Sequence, residues 1–334
     1  MSEVILEVKD LKKWFPVRRR ISQLFKGEKS WVRAVDGVSF SIKKGEIFGL
    51  IGESGCGKTT TGKLLMKLLE STAGQIIFQG EDVTNLTPEG ISRYKREIQM
   101  IFQDPYASMN PRFKIRDVLL EPLIIHKLGA GLEERISMAT EVLEEVKMTP
   151  PIEFLDRYPH MLSGGQRQRV ATARTLILSP TFIVADEPVS MIDLSTRAEV
   201  LQMMKEVQQD LNLTYLYITH DLSTARYFTD RIAVMYLGKI VEMGSADQIV
   251  DNTLHPYSRA LIAAVCEPVT GKVNLIKEVP IKGEIPSAAN IPAGCRFHPR
   301  CIFAKPECWE LEEPGLEEAE PGHLVACRRY QEIV

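Results

Sequence analysis

The segment Gly52-Glu-Ser-Gly-Cys-Gly-Lys58-Thr59 has the spacing G-x-x-x-x-G-K-[ST], which suits the binding of a polyphosphate. Its glycines allow backbone torsions that turn successive N–H groups toward one anion, and the N-terminus of a following helix adds its dipole. Lys58 is predicted to reach the β- and γ-phosphates, and the Thr59 hydroxyl to ligate Mg²⁺. The predicted nucleotide contacts are Ser54, Gly55, Cys56 (through its backbone N–H), Gly57, Lys58, Thr59 and Thr60.

Two adjacent acids end the apolar run Phe182-Ile-Val-Ala-Asp186-Glu187. Successive strand residues point to opposite faces, so the two carboxylates are expected to do different work. We predict that Asp186 holds Mg²⁺ through water and that Glu187 is the base that polarises the attacking water. His220 follows the next apolar strand, TYLYI, and is predicted to hydrogen-bond the γ-phosphate or that water.

A second anion site is predicted at Ser163-Gly164-Gly165-Gln166, where a serine and two glycines open a predicted helix. One nucleotide cannot use both anion sites of a single chain. The sequence thus contains two half-sites of related chemistry.

The elements that must position these residues alternate along the chain. Short β-branched runs and amphipathic stretches follow one another up to about residue 265, which indicates an α/β fold with a mostly parallel sheet. The predicted strands are Glu46–Ile51, Ile98–Phe102, Phe182–Ala185, Thr214–Thr219 and Ile232–Tyr236. The predicted helices are Lys58–Leu69, Glu133–Lys147, Gly164–Leu178 and Ser195–Leu211, the last with Asp193 or Ser195 as its N-cap.

The run Leu162-Ser-Gly-Gly-Gln166 resembles the signature motif of the ABC ATPases. The resemblance implies a head-to-tail dimer, in which each ATP lies between one phosphate loop and the partner's Ser163, Gly164, Gly165 and Gln166. It also implies a P-loop (RecA-like) core with an antiparallel β subdomain and a helical signature subdomain at about 104–178.

The other motifs resemble the family in their order. Gln103 matches the Q-loop glutamine, which ligates Mg²⁺ and couples to membrane subunits, and His220 matches the switch histidine. Asp193 ends the D-loop, which reads S-M-I-D here in place of the usual S-A-L-D. The adenine-stacking aromatic corresponds to Phe15, with its neighbour Trp14 as the alternative.

A narrower resemblance, to oligopeptide and dipeptide importer ATPases, covers nearly the whole chain. It is carried by QMIFQDPYASMNPR, RYPHMLSGGQRQRVATAR, VADEPVSMIDLS, HPYSRAL and CRFHPRC. It implies a peripheral subunit at the cytoplasmic face of the membrane that energises peptide import, with nickel or another solute as the alternative. The implied partners are a second ATPase, identical or homologous, two permeases and, indirectly, an extracytoplasmic peptide-binding protein.

Composition restricts the competing functions. The net charge of −3 gives no reason to expect nucleic acid as a partner, which argues against a DNA-repair ABC ATPase. No apolar run approaches the ~20 residues of a membrane helix, as a fused exporter would contain, and MSEVILEVKD is not expected to be a signal peptide. A purely regulatory ATP-binding module would not need Glu187.

The chain is expected to divide into 1–265, the nucleotide-binding domain, and 266–334, a Pro- and Gly-rich linker followed by a small metal-binding domain. Its cysteines Cys295, Cys301, Cys308 and Cys327 follow C-x5-C-x6-C-x18-C, a spacing that leaves zinc and an iron–sulfur cluster open. The resemblance to the importer ATPases favours a [4Fe–4S] cluster. Residues 16–30 form a basic insertion, which is expected to be a solvated loop.

Overall fold

The computed structural model describes residues 3–17, 31–264 and 281–333, which fold into two compact units. The first unit contains Lys43–Ile47 and Asn85–Ile218; the second contains Val4–Ile42, Phe48–Thr84 and the chain from Thr219 onward. Residues 18–30 of the basic insertion and the predicted domain boundary at 265/266 lie outside the described residues, so both remain predictions.

The elements follow one another in mixed order. The described strands are β1 (Val4–Pro16), β2 (Trp31–Lys43), β3 (Ile47–Ile51), β4 (Ala73–Phe78), β5 (Glu81–Asp82), β6 (Ile98–Ile101), β7 (Phe182–Asp186), β8 (Thr214–Thr219), β9 (Arg231–Tyr236), β10 (Lys239–Ser245), β11 (Glu317–Glu320) and β12 (His323–Val325). The described helices are α1 (Lys58–Leu65), α2 (Pro88–Glu97), α3 (Pro105–Ser108), α4 (Ile115–Ile125), α5 (Leu132–Glu145), α6 (Pro151–Leu155), α7 (Gly164–Leu176), α8 (Leu194–Leu211), α9 (Leu222–Phe228), α10 (Ala246–Asp251), α11 (Pro256–Ala263), α12 (Glu307–Glu310) and α13 (Tyr330–Ile333).

The first unit contains the parallel strands β8, β7 and β6, paired in that order. Every residue of β7 and β8 is buried, as expected for apolar, β-branched strands covered on both faces. Helices α4, α5, α6 and α7 pack against one another in the same unit. The predicted strands and helices all occur, and the predicted N-cap Asp193 accepts a hydrogen bond from the Thr196 N–H (3.0 Å).

Two residues after the last helical residue, α1, α4 and α5 are each followed by a lysine in the left-handed conformation. This conformation stops the helix, which explains why α1 and α5 end earlier than predicted. Lys67, Lys127 and Lys147 have φ of 53°, 55° and 59°. After α1, the Leu68 N–H donates to the Lys63 carbonyl and the Lys67 N–H to the Leu64 carbonyl, which is a Schellman motif. The same pattern closes α4 and α5. These ends could not be predicted from residue types, because glycine is the usual residue at that position.

The second unit contains two sheets. One has the order β2–β1–β4–β5, and its β1–β4 and β4–β5 pairs are antiparallel, in agreement with the predicted antiparallel subdomain. The other runs β11–β12–β10–β9–β3, with β3 and β9 parallel and the remaining neighbours antiparallel. The phosphate-loop strand β3 is therefore bordered by β9, whose residues from Ile232 to Tyr236 are buried.

The segment from residue 281 onward is predicted to be an irregular separate domain, but it packs into the rest of the second unit. It adds β11 and β12 to the edge of β10, and it sends Phe297 and Cys301 into an apolar cluster with Tyr236 and Tyr257. The Phe297 ring lies 5.3 Å from the Tyr236 ring, edge-on, and 5.5 Å from the Tyr257 ring. The cysteine segment therefore shares a core with the rest of the second unit.

In the part of the chain that the structure describes, no helix combines the length and the apolar character needed to cross a bilayer.

Candidate nucleotide-binding site

The phosphate loop joins β3 to α1, as the sequence predicts, and packing requires glycine at two of its positions. A Cβ at Gly52 would lie 2.2 Å from the Met235 carbonyl oxygen, and one at Gly57 would lie 2.1 Å from the Ala34 carbonyl oxygen. Gly55 has φ of +79° and open space around it. Gly52 and Gly57 allow the close approach of neighbouring backbone, and Gly55 supplies the positive φ that the loop needs.

Lys58 is buried, and its ammonium lies inside the loop. It donates to the carbonyl oxygens of Gly52 (2.7 Å) and Glu53 (3.0 Å). The loop thus holds a cation where the sequence predicts phosphate recognition. Burial raises the pKa of the neighbouring Cys56 thiol, so this side chain stays neutral, in keeping with a contact through its backbone.

Phe15 and His220, two further predicted site residues, belong to the second unit, which also contains the phosphate loop. Phe15 is half-buried near the end of β1, with the Lys13 ammonium 5.2 Å from its ring centre. The alternative, Trp14, is already engaged: its Nε1 donates to Asp36 (2.8 Å), and the Arg33 guanidinium stacks 4.9 Å from its ring. This favours Phe15 over Trp14 for adenine stacking. His220 is exposed between β8 and α9.

In the first unit, the structure brings the Q-loop glutamine to the predicted base. Gln103 Nε2 donates to Glu187 Oε2 at 3.0 Å. Glu187 has φ of 47°, a left-handed conformation that costs energy for a residue with a side chain and often marks a functional site. Its N–H donates to the Ile218 carbonyl (2.8 Å), and its carbonyl accepts from the Ser190 hydroxyl (3.0 Å). The neighbouring Asp186 is buried at the end of β7.

The signature residues form the N-terminus of α7. Ser163 Oγ accepts from the Gln166 N–H, and the Gln166 side chain accepts from the Ser163 N–H, a reciprocal capping box. A Cβ on Gly165 would lie 2.3 Å from the Thr196 methyl, so glycine is required there for α7 to pack on α8. A Cβ on Gly164 would meet nothing closer than Ile192 Cγ2 at 3.9 Å. Packing among residues 3–17, 31–264 and 281–333 therefore explains Gly165 but not Gly164.

The D-loop aspartate is ionised and fixed. Hydrogen bonds from the Thr196 N–H and the Ser195 hydroxyl lower the pKa of Asp193 to about 2. Its carboxylate is therefore occupied in capping α8, and it remains charged at any physiological pH.

The four clustered cysteines lie near one another in the second unit. The Cys295 N–H donates to the Cys308 carbonyl (2.7 Å). Burial raises the pKa of the Cys295 thiol to about 12, with the charges of Cys327, Cys308 and Cys301 acting in the same direction. Within the described ranges, however, no group of three or more His, Cys, Asp or Glu side chains is arranged to hold a metal ion. The predicted metal-binding domain is therefore not supported by a preformed ion site.

Sequence reasoning missed the residues that hold the phosphate loop from outside. The Glu53 N–H donates to the Tyr257 hydroxyl (2.8 Å), and Arg300 donates two hydrogen bonds to the Glu53 carboxylate. Arg296, four residues earlier, is buried between Asp36 and Glu313. The signal for Tyr257, Arg296 and Arg300 is their place within HPYSRAL and CRFHPRC, two strings that carry the resemblance to the importer ATPases.

Comparison with protein families gives two matches. Residues 35–190 match the family model described as ABC transporter, and residues 241–308 match the one described as oligopeptide/dipeptide transporter, C-terminal region. The second match includes Tyr257, Arg300 and three of the four clustered cysteines.

Curated relatives are similar over their whole length. The chain is 49% identical over 332 residues to the oligopeptide transport ATP-binding protein AppF of Bacillus subtilis, which covers 98% of each chain. It is 44% identical over 325 residues to the dipeptide transport ATP-binding protein DppF of Haemophilus influenzae, covering 97% of this chain and 96% of that one. Among solved structures, the ATP-binding cassette MJ0796, a dimer in a post-hydrolysis state with ADP and Pi, aligns at a TM-score of 0.63 and 27% identity, covering 72% of this chain and 99% of that one.

Proposed function

Because the chain belongs to the ABC transporter ATP-binding proteins, and to the group of oligopeptide and dipeptide transport proteins among them, we propose that it energises the import of dipeptides and oligopeptides by hydrolysing ATP. The observation that carries this proposal is the similarity to AppF over 98% of both chains, signature and C-terminal region included. The subunit would act at the cytoplasmic face of the membrane, as the resemblance of its motifs implies.

The surroundings of Lys58 and Gln103 support the roles that we propose for them in the ATP site. Lys58, held among loop carbonyls, neutralises the β- and γ-phosphates. Mg²⁺ would be held by oxygen atoms of Thr59, Gln103 and Asp186, and it would neutralise charge developing on the phosphates. Because Gln103 Nε2 is bonded to Glu187, its amide oxygen is the atom left to face the metal.

Glu187 is the base in this proposal. Its carboxylate is oriented by Gln103 and its backbone is fixed by Ile218 and Ser190, so the side chain can polarise a water without reorganising. His220, exposed after β8, would hydrogen-bond the γ-phosphate.

The signature is proposed to contact the ATP of a second ATPase subunit, identical or homologous. Glycine at the first position of a helix has lower helix propensity than alanine, yet no residue that the structure describes lies close enough to require glycine at position 164. A close approach from outside explains it, and an exposed helix N-terminus capped by Ser163 suits phosphate.

Two membrane permeases are proposed to dock on the segment after Gln103, with a peptide-binding protein acting through them. This segment exposes large apolar side chains at Tyr106 and Phe113, and Phe102, just before Gln103, is exposed as well. It is also joined to the signature: the Arg167 guanidinium lies 3.9 Å from the Tyr106 ring centre and donates to the Leu162 carbonyl (2.7 Å). Movement of the signature would therefore reach this surface.

The proposal and its nickel alternative are tested by measuring the uptake of peptides and of Ni²⁺. The cells used are ones in which the chromosomal gene is replaced by a gene for a variant. Lys58→Met is expected to reduce uptake of labelled dipeptides and tripeptides by about tenfold or more, because the phosphates lose their buried cation. The same substitution at Lys63, on the same helix and partly exposed, should leave uptake unchanged. Loss of Ni²⁺ uptake with intact peptide uptake would assign the subunit to a nickel importer.

We infer further that Cys295, Cys301, Cys308 and Cys327 hold a [4Fe–4S] cluster, with zinc as the alternative. Four buried or half-buried thiols share one neighbourhood, and thiolates are the usual ligands of such clusters. The resemblance to the importer ATPases favours the cluster over zinc. The cluster would fasten a segment that has little core of its own.

The iron content of the purified protein tests the proposed cluster. Protein purified without oxygen is expected to be brown and to contain about four iron atoms per chain. Cys308→Ser should remove most of the iron, whereas Cys56→Ser, a buried cysteine in the phosphate loop, should retain it. Colourless protein with one zinc per chain would reject the cluster.

A further inference from the structure

Glu53, the second residue of the phosphate loop, is held from two sides by the C-terminal part of the chain. Its N–H donates to the Tyr257 hydroxyl at 2.8 Å. Its carboxylate receives two hydrogen bonds from Arg300, at 2.6 and 2.9 Å, in the fork geometry that makes arginine–carboxylate pairs specific. Both the backbone and the side chain of this one residue are therefore fixed.

The two groups that hold Glu53 are themselves rigid. The Arg300 and Tyr257 side chains are both buried, and Phe297, at the start of the turn that presents Arg300, packs on the Tyr257 ring. The Arg300 N–H donates to the Phe297 carbonyl, and the Arg300 carbonyl accepts from the Lys282 N–H. The arginine therefore extends from a folded turn between Cys295 and Cys301, and it is held by core packing.

The position of Glu53 determines the geometry of the loop. The Lys58 ammonium is anchored on the carbonyls of Gly52 and Glu53, so a shift of this backbone would move the cation that meets the phosphates. The N–H groups of the following residues, from Ser54 to Gly57, depend on the same torsions. A loop fixed before nucleotide arrives loses less entropy on binding.

We propose that Arg300 and Tyr257 are positioning residues for nucleotide binding: the C-terminal region clamps Glu53 and thereby pre-organises the phosphate loop. This inference rests on the proposed ATPase function. The clamp acts on the bound ground state, so its loss should weaken ATP binding more than it slows the chemical step.

Steady-state kinetics of clamp variants tests the proposal. Arg300→Met is expected to raise the KM for ATP by about tenfold, with kcat changed by less than about threefold. Arg300→Lys keeps the charge but loses the fork, so an intermediate KM is expected. Tyr257→Phe removes one acceptor and should raise the KM by a smaller factor. Adding Glu53→Gln to Arg300→Met should cause no further rise, because both remove the same interaction.

Arg329→Met is the matched control. Arg329 is also a buried arginine and lies two positions after Cys327 of the same segment, but its partners are Glu307, Glu332 and the Phe303 carbonyl. It should lower the melting temperature without changing the KM. Three results would overturn the clamp. The KM could rise equally in Arg300→Met and Arg329→Met, it could rise in both in proportion to a loss of iron, or it could stay unchanged in Arg300→Met. If the wild-type protein does not bind ATP at all, the proposed function fails instead.

Discussion

Replacing Glu187 with glutamine is expected to slow ATP hydrolysis by about 10²–10⁴-fold, the usual contribution of a positioned general base, while ATP remains bound. Glutamine keeps the size of the side chain, and its amide oxygen can still accept the hydrogen bond that Gln103 Nε2 gives to Glu187. The left-handed backbone at this position is unaffected. The variant should therefore reach the nucleotide-bound dimer and stay there.

Two measurements on the same preparation check this prediction. Phosphate release should fall, and size-exclusion chromatography should show an Mg-ATP-dependent dimer that persists. Glu206→Gln, a partly exposed glutamate in the same unit, is the control and should hydrolyse ATP like the wild type. Turnover close to the wild-type rate in Glu187→Gln would transfer the catalytic role to another group.

Gly164→Asp is expected to reduce hydrolysis by about 10²–10³-fold, because it places a negative charge where the partner's triphosphate should lie; two like charges 4 Å apart repel by about 4 kcal/mol at an effective dielectric constant of 20. The fold should tolerate the change. A Cβ at Gly164 meets only ordinary contacts, and an aspartate in the first turn of α7 interacts favourably with the helix dipole.

The control for Gly164→Asp is Gly131→Asp. Gly131 is the N-cap of α5 in the same unit, and a Cβ there meets nothing within 4 Å. Both variants should melt near the wild-type temperature and bind ATP as monomers, but only Gly164→Asp should lose turnover and nucleotide-dependent dimerisation. Full activity in Gly164→Asp would contradict a signature that works on a partner's nucleotide.

Local patterns predicted the parts of this molecule that depend on local physics. The alternation of apolar runs located β7 and β8, and the serine before two glycines located the start of α7, because capping and burial act over a few residues. The ends of α1 and α5 were predicted too late in the sequence, since the backbone at Lys67 and Lys147 adopts a conformation that the side chain does not favour.

Contacts between segments that are far apart in the sequence could not be predicted from local patterns. The residues next to Glu53 in the sequence do not indicate an arginine partner, and Arg300 lies 247 positions away along the chain. The Gln103–Glu187 bond is similar: each residue was recognised by its motif, but only the folded first unit shows that one orients the other. Motifs identify which residues do chemistry, whereas the groups that hold them come from tertiary structure.

The separation between Glu53 and Arg300 also orders events during synthesis. A ribosome completes the glycine-rich loop early, but the arginine that holds it is added only after 299 of the 334 residues have been joined. A nascent or truncated chain ending before that point would contain every phosphate-binding residue and still present them on an unbraced loop. Full affinity for ATP would then be reserved for finished subunits, and unfinished ones would compete poorly for the cell's nucleotide.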